Sequence, residues 1–396
     1  MIPIINKSLK ILYRIKKIVY TKFKKRTNFK KLILIYFNYI KYIRSYKLVS
    51  LYTLILRKRV KINKRYILST NVVVNNYTDL NHYCRNATAG DTITLAPNTI
   101  FEGNLIISGT NGEGIKGTPN NPIRIIGDNT STIMGAAGID NSYTIKIVNS
   151  SYVYFGNVNT NLQYGNGFNL TLANKGFYAD NCNNITVQNL NIYNIGNEGI
   201  HFLNRSSNCN IYNNVVYQTG MGTNPDSKGY GEGIYIGSAS NKWEDNYIDD
   251  TNNIYIVNNN VFDTYAECID IKEGTHDGLI KGNTFGGKNL NNYNYADSWV
   301  NVKGTKWKIC NNEGTITYAH GSGMQTQYIE TKNPSINSGS YNIFCGNILN
   351  CYCDSYAIYI NTNNTIGNIV YSNNISSYAN NGLTNIPVDE NTPPPC

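Results

Sequence analysis

Two lysines, an aspartate and three glutamates in the C-terminal half of this 396-residue chain are spaced so that a regular coil would gather them on one surface. Asp270, Lys272 and Lys303 put a carboxylate between two ammonium groups, residue types that neutralise an acidic ligand and move protons. On adjacent coils the two lysines would lie about 4.8 Å apart at the backbone. At an effective dielectric of about 20 to 80 they would repel by roughly 1–3 kcal/mol. That repulsion would pull one lysine's pKa down towards use as a base, with Asp270 pushing the other way. Glu198, Glu232 and Glu267 form a carboxylate column that repels itself unless hydrogen bonds or a cation intervene, and a hard cation such as calcium takes several oxygens of this kind. His201 is a further titratable group in the same region. Each feature also has a plain reading: a solvated Lys–Asp–Lys ladder, glutamates capping the turns below their own strands, and a surface histidine.

The elements that must position these groups are five short stretches that superimpose: Glu198–Phe202, Glu232–Ile236, Glu267–Thr275, Ser298–Lys303 and Ser322–Thr326. Apolar and polar side chains alternate at period two, as in half-buried strands, and recurrence every few tens of residues points to a stacked solenoid. Ile200/Phe202, Ile234/Ile236, Ile269/Ile271, Val300/Val302 and Met324/Thr326 then face inward. His201, Tyr235, Asp270, Asn301, Gln325 and Tyr359 form one outward column. Leu203, Gly237, Lys272, Lys303 and Gln327 form the next. Gly199, Gly233, Cys268, Trp299 and Gly323 are expected to face out on the other side, which would make Trp299 a stacking platform for a sugar ring. Packing beneath an inserted loop is the alternative for that indole.

A second pattern, apolar-x-x-Asn, gives Ile211/Asn214, Ile256/Asn259, Ile280/Asn283, Phe344/Asn347 and Val370/Asn373, with Ile309/Asn312 a weaker member. Asparagine tolerates the left-handed backbone region and bonds its neighbours locally, so this column marks a bend. Connections this short leave no room for helices, which excludes a βαβ sheet and leaves an all-β fold, a parallel β-helix. Tyr77–Cys84 has the spacing of a short amphipathic helix that would cap the N-terminal end, ahead of an alternating strand at Ala89–Leu95.

The formal charge of +10 hides two segments of opposite sign. Residues 1–70 hold 20 Lys and Arg and no acid, leaving 15 basic and 25 acidic residues in the remainder. The first segment reads as a damaged signal region or as translation of A/T-rich sequence upstream of the gene product. A signal anchor at Leu48–Leu56 and a basic arm for acidic surfaces are alternatives. No apolar run in it reaches the roughly 20 residues of a membrane span. Residues 71–384 are assigned to the β-helix and 385–396 to a Pro-rich tail. Low charge with abundant Asn, Gly, Thr and Tyr suits an extracellular, carbohydrate-facing monomer, and no nucleic-acid partner is expected for residues 71–396. Nine cysteines without paired Cys-x-x-Cys spacing argue against a zinc knuckle; some are expected in disulfides and others as small core residues.

The run Asp270-Ile271-Lys272-Glu273-Gly274-Thr275, followed by Gly278–Phe285, resembles the pectate-lyase superfamily of right-handed β-helices. Gly90–Ile93 and Pro119–Gly127 are similar to the first coils of such proteins, and the resemblance covers about residues 73–380. It implies Asp270 as a calcium ligand and Lys272 as the partner of a uronate carboxylate. The family's Arg-x-Pro-x-x-Arg segment is absent: past residue 71 the arginines are Arg85, Arg124 and Arg205. The position four before Asp270, acidic in the family, is Ala266, with Glu267 adjacent. The expected chemistry is β-elimination from a uronic-acid polysaccharide, with Lys303 as base, Lys272 as neutraliser (roles that could exchange) and a calcium ion on Asp270 with Glu267 or Glu232. Tyr235, His201, Asn301, Gln325 and Trp299 would bind substrate. Hydrolysis by Glu267 and Asp270 and non-catalytic glycan binding through Trp299 and Tyr235 are the competing readings.

Overall fold

The computed structural model describes residues 69–396, apart from 110, 137–141, 158–163, 223–229, 245–246, 288–289, 291–295, 320, 334 and 394–395. The basic segment and the readings attached to residues 1–68 lie outside the described residues, as do Pro394 and Pro395. The chain winds into a right-handed parallel β-helix of three sheets, with 11, 10 and 9 strands, and the strand ladders are parallel throughout. A representative coil runs Ser207–Tyr212 in the first sheet, Val215–Thr219 in the second and Ile234–Ile236 in the third. Each strand pairs with its counterpart one coil away, so a residue's neighbours are set by the coil repeat.

Period-two alternation becomes alternation of burial: Ile93 and Leu95 are buried with Thr92 and Thr94 partly exposed, and Ile123 and Ile125 are buried with Arg124 and Ile126 partly exposed. Inward residues pack both across and along the core: Phe155 of the first sheet meets Phe177 of the third edge-on at 4.9 Å, and Phe177 stacks on Phe202 at 5.9 Å. The N-terminal helix α1, Tyr77–Asn86, covers the first coil. Asn76 caps it by accepting the Asp79 amide, and Leu80 and Cys84 are its buried face. A strand that the sequence reading did not include, Asn71–Val74, precedes the helix and pairs with Thr92–Leu95 as the sheet's outermost strand. At the other end, residues 385–396, set apart in sequence as a tail, return to the body. Asp389 bridges to Tyr371, and Cys396 forms a disulfide with Cys310. The other seven cysteines are buried and outside any disulfide; six fill the core as small apolar residues, and Cys345 lies against the Cys310–Cys396 disulfide in a separate cluster.

The asparagine column lies at the bend between the first and second sheets. Asn214, Asn259, Asn283, Asn312 and Asn347 each donate from Nδ2 to Oδ1 of the next, at 2.9, 3.0, 3.0, 2.9 and 2.8 Å, the last acceptor being Asn374. Each backbone amide also donates to the same oxygen, and each Nδ2 reaches back to a strand carbonyl, as Asn283 does to Ile256. Two expectations change. The last member is Asn374 and not Asn373, because this bend is one residue longer and closes with the Asn374 amide on the Tyr371 carbonyl. The left-handed residue is the one before each of the first five ladder asparagines, at Asn213, Asn258, Gly282, Asn311 and Gly346.

Candidate active site

The third sheet carries the outward column as the alternation requires. Register pairs run Lys146–Tyr178–His201–Tyr235–Asp270–Asn301–Gln325–Tyr359 across successive coils. Asp270 is almost wholly buried, and its two oxygens take one ammonium each: Lys303 Nζ at 2.5 Å and Lys272 Nζ at 2.7 Å. The Lys–Asp–Lys ladder is therefore real, yet it is not a solvated one. Burial works against the charge on Asp270, and Lys272 and Lys303 outweigh it, so its pKa falls below the usual carboxylate range. Burial also works against the charge on Lys272, and Asp270, Tyr235 and Glu232 outweigh it, so its pKa stands well above the ordinary lysine value. The depressed lysine expected from mutual repulsion does not appear at Lys272, because Asp270, Tyr235 and Glu232 all favour its charged form.

Tyr235 is half-buried beside this pair, with Lys272 Nζ 4.8 Å from its ring centroid. Burial holds its hydroxyl pKa well above 10, with Lys272 pulling the other way. His201 packs edge-on against Tyr235 at 4.4 Å and is buried, not a surface residue. Its Nε2 lies 2.8 Å from the Gly237 carbonyl, which fixes the hydrogen there and leaves Nδ1 as a buried acceptor without a partner. Burial drives its pKa down to about 4, so the imidazole is neutral.

The glutamates lie at the bends leading into these strands, and all three are buried. Lys175 pairs with Glu198, and its charge outweighs burial, so the pKa of Glu198 falls below the ordinary carboxylate value. Burial and the carboxylates of Glu198, Glu267 and Asp270 push Glu232 up to about 8. Burial and Asp270 push Glu267 to about 7. Oxygens of Glu232, Glu267 and Asp270 lie within 4.8 Å of one another, close enough for one cation to bridge them. Both Asp270 oxygens already carry ammonium groups, so a cation at this cluster would take its free oxygens from Glu232 and Glu267 and share Asp270 with the two lysines.

Asn301 donates to Glu267 Oε1 at 3.2 Å and Gln327 Oε1 at 3.1 Å, and Gln325 donates to Asp297 at 2.7 Å. Trp299 is a correction. It is fully buried, so it is not a stacking platform. The alternation holds only inside the strand Val300–Val302; residue 299 lies in the bend, where its side chain turns inward. Room is made by Gly314, where a Cβ would come within 2.3 Å of the indole. Gly233 and Cys268 of the same column face the core too.

The sequence reading missed Lys146, Lys175 and Tyr178. Tyr143–Val148 and Lys175–Asp180 alternate like the later strands, but neither carries the Glu-Gly lead-in that aligned Glu198 and Glu232, so the earlier coils were not superimposed.

Comparison with known structures places this architecture among β-helix proteins. The chain is similar to an alginate lyase from Paenibacillus sp. str. FPU-7, with 27% identity, a TM-score of 0.67, and coverage of 80% of this chain and 98% of that one. It also matches the Streptococcus pneumoniae surface adhesin PfbA at 14% identity and a TM-score of 0.51, over 80% and 82% of the two chains, a likeness of fold. Pectate lyase Pel9A matches at 13% identity and a TM-score of 0.45, over 76% and 74%. No protein-family model matches the chain, and no curated protein does. Among the described residues no helix is long and apolar enough to cross a membrane.

Proposed function

We propose that this protein is a secreted polysaccharide lyase that cleaves a uronic-acid polymer by β-elimination. The observation that carries the reading is the Lys272–Tyr235 pair, an ammonium group 4.8 Å from a phenol ring on the outward column, with Asp270 and Lys303 locking the lysine from behind. The likeness to an alginate lyase over 80% of the chain supports it, alginate being a polyuronate.

Elimination needs the carboxylate neutralised so that the proton on the adjacent carbon becomes acidic, a base to take that proton, and a path for the leaving glycosidic oxygen. Lys272 is the neutralising group: its side chain is 15% exposed against 8% for Lys303, and its pKa keeps it cationic. Lys303 is turned onto Asp270, so we move the base from Lys303 to Tyr235. The base is the ionised phenol, a minor form at neutral pH because burial holds its pKa up, and one that the Lys272 charge favours; the proton it takes from the sugar carbon then passes to the departing glycosidic oxygen as that C–O bond breaks. Asp270 and Lys303 position Lys272, Asn301 is buried and holds Glu267 and Gln327, and Gln325 extends the polar wall that meets the sugar. With two lysines supplying the positive charge, calcium on Glu232, Glu267 and Asp270 is not required for the step.

The test is a panel of polyuronates, alginate and polygalacturonate among them, followed by ultraviolet absorbance of unsaturated products with and without chelator. The expected result is an absorbance rise that chelator leaves unchanged and that Lys272→Ala and Tyr235→Phe abolish. Reducing ends without absorbance would instead identify hydrolysis by Glu267 and Asp270, and binding without turnover would identify a glycan-binding protein.

A further inference from the structure

We propose a second carboxylate-binding subsite at Lys146, framed by Tyr143 and Tyr178, which grips the same uronate chain several sugars from the Lys272–Tyr235 pair; it rests on the reading of the groove as a polyuronate site. Lys146 stands in the same outward column, and its register partner Tyr178 leads through His201 and Tyr235 to Asp270. It is four coils from the strand that bears Asp270, about 19 Å at one strand spacing per coil. Its ammonium group lies 4.9 Å from the Tyr143 centroid and 5.2 Å from that of Tyr178, and those rings are 5.1 Å apart. Aromatic contacts fix the cation without neutralising it.

The other lysines of this face have internal anions: Lys175 has Glu198, and Lys272 and Lys303 share Asp270. Among the described residues no carboxylate comes within ion-pair distance of Lys146. Asp180, on the strand of Tyr178, accepts a hydrogen bond from Asn204 on the next coil. A half-buried, aromatic-clamped cation with no carboxylate partner among the described residues suits an external carboxylate, and tyrosine faces suit the sugar ring that bears it. Extended 1,4-linked uronates advance by roughly one strand spacing per sugar, so a chain along the column would need on the order of four or five residues to reach both sites.

The experiment measures affinity, by calorimetry, of oligouronates of increasing length for the full-length protein carrying Tyr235→Phe, with and without Lys146→Met or Lys146→Arg. Affinity of the Tyr235→Phe protein should step up when the oligomer becomes long enough to reach Lys146. Lys146→Met should erase that step, roughly tenfold for one charge-assisted contact, and leave trimers unaffected. Lys146→Arg should retain most of it. Neutral oligosaccharides should show no step. Loss of equal size for short and long oligomers, or no loss, overturns the subsite. A length step that depends on Lys146, in a protein whose unsubstituted form yields no unsaturated product, keeps the subsite and overturns the lyase reading. Cleavage by the unsubstituted protein with affinity indifferent to Lys146 does the reverse. No binding of any oligouronate overturns both.

Discussion

Two columns follow the same coil repeat, the asparagines from Asn214 to Asn374 and the third-sheet residues from Lys146 to Tyr359, and they differ in how completely they satisfy themselves. At the bend between the first and second sheets, each asparagine spends its amide on the next one and on a strand carbonyl, so the column is closed and buried. On the third sheet the stacked residues change identity from coil to coil, through His201, Tyr235, Asp270 and Asn301, and charge is balanced by lysines that arrive from the adjoining column. Identical side chains stacked at one spacing make structure. Unlike side chains at that spacing make a site, because their unmatched capacity is left for a ligand.

The contrast is broken most severely at the site. Lys272→Ala or Tyr235→Phe should cost roughly a thousandfold or more in lyase rate, with little change in thermal midpoint for Tyr235→Phe and a drop for Lys272→Ala, which leaves one buried Asp270 oxygen unpaired, as read by product absorbance and calorimetry. A large drop in midpoint for both variants would make this column structural as well. The bend supplies the converse. Asn283→Ala removes the donor to Asn312 and the acceptor for Asn259, leaving buried groups unpaired on both sides, and should destabilise by about 2–4 kcal/mol in denaturant unfolding while kcat holds. Trp299→Ala belongs with the bend and not with the site: a loss of about 3–5 kcal/mol on unfolding, and no loss of glycan affinity once refolded material is selected.

Smaller effects come from the buried acids. Glu232 and Glu267 have folded pKa values of about 8 and 7 against an ordinary 4.5. The folded state therefore holds protons that the unfolded chain releases, and stability should fall as pH rises from about 4.5 through 8. Glu232→Gln should flatten that slope, measured as thermal midpoint against pH; an unchanged slope would mean that Glu232 is ionised, as a bound cation would require. The rate should climb with pH above neutrality as Tyr235 ionises, within the limit that this loss of stability sets.

Much of this was legible in the sequence because period-two alternation and a fixed coil offset are short-range rules. They placed His201, Tyr235, Asp270, Asn301 and Gln325 in one column and put the bend asparagines in another. They failed where the rules stop. Trp299 lies in a bend, where alternation no longer says which way a side chain points. Val370 is followed by a bend one residue longer than the others, which moved the ladder from Asn373 to Asn374. Charge was the other limit. Spacing brought Lys272 and Lys303 together, but only the structure shows both committed to Asp270, which raises the Lys272 pKa where mutual repulsion alone would have lowered it.

The most direct measurement is the ultraviolet absorbance of products released from polyuronates by the unsubstituted protein and by Lys272→Ala, each with chelator present. The account predicts a steady rise for the former and none for the latter. Equal rates for the two proteins, or a rise that needs added calcium, would contradict the claim that a lysine locked by Asp270 neutralises the substrate.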